Sequence, residues 1–266
     1  MNSPYSQATD DLLRDGYTFV PINAVSVINA MGATRMLMAS IADDERWTLT
    51  RSGEEEPDVG FIRKSKSDGY DEKAYFHFAR DLPLLIRSAG VIESLQQKAC
   101  LRTVERLHLE LRDLALAMAD ALGHRGLIDS SVSPGMLQTF RLTDPYNTSV
   151  LRYLQYPDTQ NQTGAKDHYD KGFFSIHLGD DGGELYALDR SGSWIGVSPP
   201  PGMALVFFGV KAMYASGGRL LPLRHKSVTV PGKVRTAMVM FAHTDIGHQV
   251  VSAQDSHDEF LKLADG

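Results

Sequence analysis

The chain has 266 residues, 42% of them apolar, and a formal net charge of −6. That suits one sizeable globular unit. It excludes a broad basic nucleic-acid footprint, since the longest basic stretch is the short "RKSKS" of Arg63–Ser67. No apolar run approaches the roughly 18 residues of a membrane span, and the first residues lack the basic and apolar pattern of a signal peptide. Cys100 is the only cysteine, so an intramolecular disulfide and a cysteine metal cluster are both excluded. It reads as a small hydrophobe in a helix, and a reduced, cytoplasmic setting is expected.

In chain order, Asp10–Arg14 reads as the end of a short helix before the strand-like "YTFVPI". Val25–Ile41 carries small and apolar residues at helical spacing. Leu84–Leu122 is the clearest helical region, with Leu95, Ala99, Leu107, Leu111, Leu114 and Met118 at steps of three and four and with Gly90 and Gly123 as punctuation. From Met136 the texture changes to short runs of Val, Ile, Phe, Tyr and Leu between Gly, Pro, Asp and Ser clusters. Strands are expected at Met136–Leu142, Val150–Tyr156, Phe173–His177, Glu184–Ala187, Trp194–Val197, Ala204–Phe208, Ser227–Val230 and Arg235–His243, with a closing helix at Ser256–Leu263. Short strands at this spacing point to a sandwich or barrel, not to βαβ units. The expected fold is α+β: a helical N-terminal support (1–130) packed on a double-stranded β-helix, or jelly roll (131–250), with a C-terminal helix or tail (251–266), all one structural unit. "GDDGGE" (Gly179–Glu184) lacks the helix and lysine of a phosphate loop and reads as a hairpin.

The stretch "DHYDKGFF" places His168 and Asp170 two apart. On an extended strand both side chains share a face. They are then either a surface hydrogen-bonded pair or two-thirds of a metal site. A third ligand would come from far along the chain, and His225, in "LPLRHKSVTV", stands at the mouth of a strand. Two histidines and a carboxylate on one side of a metal form the facial triad of non-haem Fe(II) oxygenases. His177 reads as a pocket or pairing residue. His77, His108, His124, His243, His248 and His257 read as surface or capping residues. No G-x-S-x-G elbow suggests a hydrolase.

Four stretches carry a resemblance: "LRYLQYP" (Leu151–Pro157), "HYDKGFFSIHLGDDGGELYALDRSGSWIGVSPPPG", "SGGRLLPLRHKSV" and "VRTAMVMF". In that order they resemble the R-x-N-Y-Y-P, H-x-D with G-G-L-Q and W-x-x-V-x-P, N-G-R-x-x-S-x-x-H-R-V and R-x-S motifs of the Fe(II)- and 2-oxoglutarate-dependent oxygenases, in the isopenicillin N synthase-like branch. The resemblance covers about a third of the chain. It implies His168, Asp170 and His225 as iron ligands, with O2 and 2-oxoglutarate as co-substrates. It implies Arg235 as the grip on the far carboxylate of 2-oxoglutarate, helped by the Tyr156 hydroxyl. Two departures stand out: Ala237 replaces the serine of R-x-S, and Leu154 stands where asparagine is frequent.

The resemblance further implies oxidation of a C–H bond of a free small molecule of secondary or amino-acid metabolism, by hydroxylation, desaturation or cyclisation. No nucleic-acid or membrane partner is expected. Arg63, Phe140, Phe173 and Tyr214 are candidate substrate contacts. Arg152, an arginine common in that strand, also belongs to the pocket candidates and is given no catalytic role. Two alternatives stay open: an iron oxidase of the same fold that takes no 2-oxoacid, and a non-catalytic jelly-roll protein that binds a small ligand.

Overall fold

The centre of the fold is an eight-stranded antiparallel sheet. Its order is β1 (Tyr17–Pro21), β9 (Met203–Phe208), β6 (Phe174–Asp181), β11 (Arg235–Ala242), β5 (Ser149–Tyr156), β4 (Lys73–Phe78), β3 (Val59–Lys64) and β2 (Thr48–Leu49). A second sheet has the order β10 (His225–Thr229), β7 (Gly183–Leu188), β8 (Trp194–Gly196). This computed structural model describes residues 5–50, 58–65, 72–128, 149–158 and 164–242.

Alternation along the strands gives the large sheet two working faces. On one, Leu151, Tyr153, Phe174, Ile176, Val206, Phe208, Met238 and Met240 join the main hydrophobic core. Helix α1 (Ser6–Asp15) leads into β1, and α3 (Leu82–Ser88) follows β4. Helix α4 (Leu95–His124) lies in that core, and α2 (Ala24–Ile41) packs on α4. The start of α4 is fixed by a capping box, in which Ser94 and Gln97 satisfy each other's backbone amides. On the other face, Leu205 and Phe207 meet Leu185 and Ala187 of the small sheet and Val197 just after it. The result is an α+β chain whose β part is a double-stranded β-helix with helices on its outside.

The seven expected strands within the described residues all form, six of them within two residues of their expected ends, while β6 runs to Asp181, four residues past the expected His177. Met136–Leu142 and Ser256–Leu263 lie outside those residues. Three expectations need correction. The N-terminal 130 residues are more than a helical support, because they contribute β1 to β4 to the large sheet. "GDDGGE" does not close a hairpin: it carries the chain from β6 in one sheet to β7 in the other. Helix α2 is, among the described residues, long and apolar enough to cross a membrane by length and composition. Asn29, Thr34 and Arg35 interrupt its apolar run in sequence, and Val27, Ala30, Leu37, Met38 and Ile41 bury one face in the core.

Candidate metal centre

His168 and His225 meet as a backbone bridge, each amide donating to the other's carbonyl at 2.9 and 3.0 Å. The residues just before them, Asp167 and Arg224, form an ion pair that ties the same two segments together. This is how 57 residues of separation in sequence become adjacency in space. Asp170 follows on the loop into β6. One ligand atom each from His168, Asp170 and His225 lie within 4.8 Å of one another. His168 Nε2 is 3.4 Å from Asp170 Oδ1, and His225 Nε2 is 3.7 Å from Asp170 Oδ2.

The rings are held in the tautomer that a metal needs. His168 Nδ1 donates to the Lys166 carbonyl at 2.7 Å, and His225 Nδ1 to the Leu223 carbonyl at 3.1 Å. Both Nε2 lone pairs therefore face inward, the arrangement that a backbone carbonyl accepting from Nδ1 imposes on a metal-binding imidazole. The Ser175 hydroxyl donates to Asp170 Oδ2 and fixes that carboxylate. Burial pushes His225 down to about 4, against the pull of Asp170, so its ring is neutral. Burial alone would raise Asp170, but His225, His168 and Ser175 together hold it well below the usual carboxylate range. Burial also opposes charge on His168, yet the adjacent Asp170 prevails and lifts its pKa above the ordinary value. Asp170 and His225 are buried while His168 is partly exposed, so the centre has one open side. Two neutral-capable imidazoles and one ionised carboxylate fit Fe(II).

Beyond the triad, ladder partners on one face define the barrel wall, because directly opposed residues point the same way. One row runs His77, Arg152, Val239, His177 across β4, β5, β11 and β6. The next runs Tyr75, Leu154, Ala237, Asp180. Plain alternation would put Asp180 on the opposite face from Ser175 and His177. A bulge between Met238 and Val239, with Gly179 at φ +151°, shifts the register and turns Asp180 inward.

That shift gives Arg235 a partner from its own chain. Its Nε donates to Asp180 Oδ1 at 2.6 Å and its Nη2 to Oδ2, while Nη1 donates to the Ser227 hydroxyl at 3.0 Å. The guanidinium lies 5.0 Å from the Tyr156 ring centroid, and both Arg235 and Tyr156 are fully buried. His177 Nε2 adds a contact to Asp180 at 3.5 Å. Burial opposes ionisation of Asp180, but His177 and Arg235 hold its pKa below the usual range. The missing side chain of Gly183 is part of this geometry, since a Cβ there would stand 2.4 Å from Arg235 Cδ. Asp180 stands directly opposite Ala237 in the ladder. So the buried arginine expected to await an anion already holds one, and Ser227 on β10 supplies the hydroxyl that Ala237 lacks.

The candidate substrate contacts do not converge. Arg63 is opposite Ala74, whereas Ile62 is opposite Tyr75, so Arg63 belongs to the face turned away from the barrel. It is exposed and lies 5.2 Å over Phe61, a member of the main core. Phe173 is fully buried in the main core beside Phe174 and Phe208, with no surface for a ligand. Tyr214 is exposed on the short helix α5 (Val210–Ala215). Phe140 lies outside the described residues, as do His243, His248 and His257. His77 and His108 are not surface residues: His77 lies on the barrel wall, and His108 on α4 bonds Ser149 inside the core at 2.9 Å. His124 is exposed and bonds the Asp120 carbonyl within α4.

Residues 145–244 match the family model described as the 2OG-Fe(II) oxygenase superfamily. No curated protein sequence matches the chain. Its fold is similar to that of a protein from Caulobacter crescentus named for the 2OG-Fe(II) oxygenase family, with 20% identity and a TM-score of 0.70, over 98% of this chain and 94% of that one. It is also similar to the dioxygenase for auxin oxidation of rice, with 19% identity and a TM-score of 0.66, over 98% and 90% of the two chains. A full-length Neurospora crassa protein, in complex with alpha-KG and thymine, gives 15% identity and a TM-score of 0.65, over 90% and 80%.

Proposed function

We propose, from membership of the 2OG-Fe(II) oxygenase superfamily as the premise, that this oxidoreductase oxidises a C–H bond of a small molecule. Fe(II) would be held by His168 Nε2, Asp170 and His225 Nε2. The observation that carries the reading is the triad itself: three ligand atoms within 4.8 Å, with both imidazoles locked Nε2-inward by backbone carbonyls. When bound there, iron with 2-oxoglutarate supplies the activation of O2, which the protein cannot supply itself.

The chain's own residues hold and orient. Ser175 keeps the Asp170 carboxylate in one rotamer, and the Asp167–Arg224 pair keeps the two histidine segments together. For the far carboxylate of 2-oxoglutarate, the available donors are Arg235 Nη1 and the Ser227 hydroxyl, beside the Tyr156 ring. Charge-assisted bonds of this kind are the strong ones. Asp180 has to share or release Arg235 for that carboxylate to bind.

One observation favours a second reading. The bidentate Asp180 pair already neutralises Arg235, as an iron oxidase that takes no 2-oxoacid would require. Oxygen uptake separates the two. The proposal expects O2 consumption to need added 2-oxoglutarate and to yield succinate. Substrate oxidation at full rate without any 2-oxoacid would transfer the case to the second reading.

A further inference from the structure

Two arginines lie on the inner face of the barrel, and their surroundings differ. Arg235 has a carboxylate, Asp180, on two of its nitrogens. Arg152 has none. Its Nε donates to His77 Nε2, and its guanidinium packs against Tyr75, 5.2 Å from the ring centroid, and Phe241, at 4.7 Å. His77 cannot serve as a counter-ion. Its Nδ1 faces the Asp58 carbonyl at 2.7 Å and must donate there, so Nε2 is the lone pair that accepts from Arg152 and the ring is neutral. The acid that acts on Arg152 through space is Asp170, which is committed to His168, His225 and Ser175. Two aromatic rings and the Nε bond to His77 thus account for part of the guanidinium's surroundings. The Nη1 and Nη2 groups have no hydrogen-bond partner among the described residues.

We infer that this free edge of Arg152 is the receptor for a carboxylate on the substrate, so that the molecule oxidised is a monocarboxylic acid. The inference rests on the reading of the site as an oxygenase centre and names the substrate class for it. The two parallel Nη donors match a carboxylate in geometry. A cation packed on aromatic rings, whose nearest acid is committed to other groups, is costly to desolvate, and an incoming anion relieves that cost. One unpaired guanidinium calls for one negative charge. The position is also suitable. Phe241, on which Arg152 stacks, is the ladder partner of Ser175, whose hydroxyl holds Asp170. An acid bound by Arg152 therefore has the carbons next to its carboxylate on the metal side of the barrel, with Val239 and Leu154 as apolar neighbours on the same face.

The test uses the full chain loaded anaerobically with Fe(II) and 2-oxoglutarate, and calorimetric titration with phenylacetate and hexanoate against phenylacetamide and hexanamide. Wild-type protein is expected to bind the acids about tenfold or more tightly than the amides, the range of a charge-assisted pair. Arg152→Gln is expected to abolish that preference and Arg152→Lys to keep part of it, with the affinity for 2-oxoglutarate unchanged in both. Acids that bind wild-type protein no better than amides overturn the inference. So does an acid preference that survives Arg152→Gln, or a loss confined to 2-oxoglutarate, which would make Arg152 a co-substrate residue. Should Arg152→Gln fail to fold, the wild-type comparison of acid with amide decides alone. The visible band of iron-bound 2-oxoglutarate, read in the same sample, reports separately on the oxygenase reading.

Discussion

Arg235 and Asp180 form a bidentate ion pair that is almost wholly out of water, with 2% side-chain exposure on each partner. Arg235 is the residue to which the family resemblance gives the far carboxylate of 2-oxoglutarate, and Asp180 already occupies it. Breaking a buried pair from one side typically costs about 3–5 kcal/mol, because a charge is left without compensation. Asp180→Asn is therefore expected to lower stability by an amount of that order when no 2-oxoacid is present. Added 2-oxoglutarate should then restore far more stability to the variant than to wild type, since its carboxylate replaces the lost one. Thermal unfolding with and without 2-oxoglutarate measures both effects. Equal stabilisation of the two proteins would remove Arg235 from the co-substrate site.

Gly183 tests the same pair from the other side. A methyl there would stand 2.4 Å from Arg235 Cδ and 2.9 Å from Asp180 Oδ1. Gly183→Ala is expected to displace the guanidinium and to weaken 2-oxoglutarate binding, with Fe(II) affinity preserved. Paired titrations with the metal and with the 2-oxoacid would show whether the two effects separate.

Ser175→Ala removes the hydroxyl that positions Asp170. Supporting bonds of this type are worth roughly 10–100-fold in metal affinity. The expected outcome is weaker Fe(II) binding by about that factor in a protein that still folds, read by competition with a chelator of known affinity.

His108 gives a pH dependence away from the metal. Burial pushes it down to about 4, with the Ser149 carbonyl opposing. The unfolded chain takes up this proton near pH 6.5. Between those values the unfolded state binds more protons, so stability falls as the pH is lowered through the window. By pH 5 the loss attributable to this residue is about 2 kcal/mol. Urea unfolding at pH 7 and pH 5 should show that difference shrinking in His108→Gln. An unchanged difference would mean that other groups control the acid response.

Much of the β-rich half was legible in the sequence because its strands are short, apolar and bounded by turn residues. The closeness of His168 and Asp170 was legible because side chains at i and i+2 of extended chain share a side, and the bridge of His168 to His225 keeps that stretch extended although it belongs to no named strand; His225 was legible at the mouth of β10. Asp180 was not legible. Period-two alternation places it on the wrong face, and only the register shift opposite Met238 and Val239 turns it inward. The face taken by Arg63 was not legible either, because the sequence does not show the register of β3, and that register turns Arg63 outward. Phe173 looked like a pocket aromatic, but it packs in the main core with Phe174 and Phe208. His77 and His108 were misjudged because a histidine with a backbone or hydroxyl partner can be buried at modest cost, and partners such as Asp58 and Ser149 lie far away in sequence.

The most direct measurement is an anaerobic titration of metal-free protein with Fe(II), then 2-oxoglutarate, watching the visible spectrum, with His225→Ala alongside. The account expects one Fe(II) per chain and a weak charge-transfer band that appears only when both are present, with both signals lost in the variant. Wild-type protein that binds no Fe(II), or His225→Ala protein that binds it as well as wild type, would contradict the assignment of the centre.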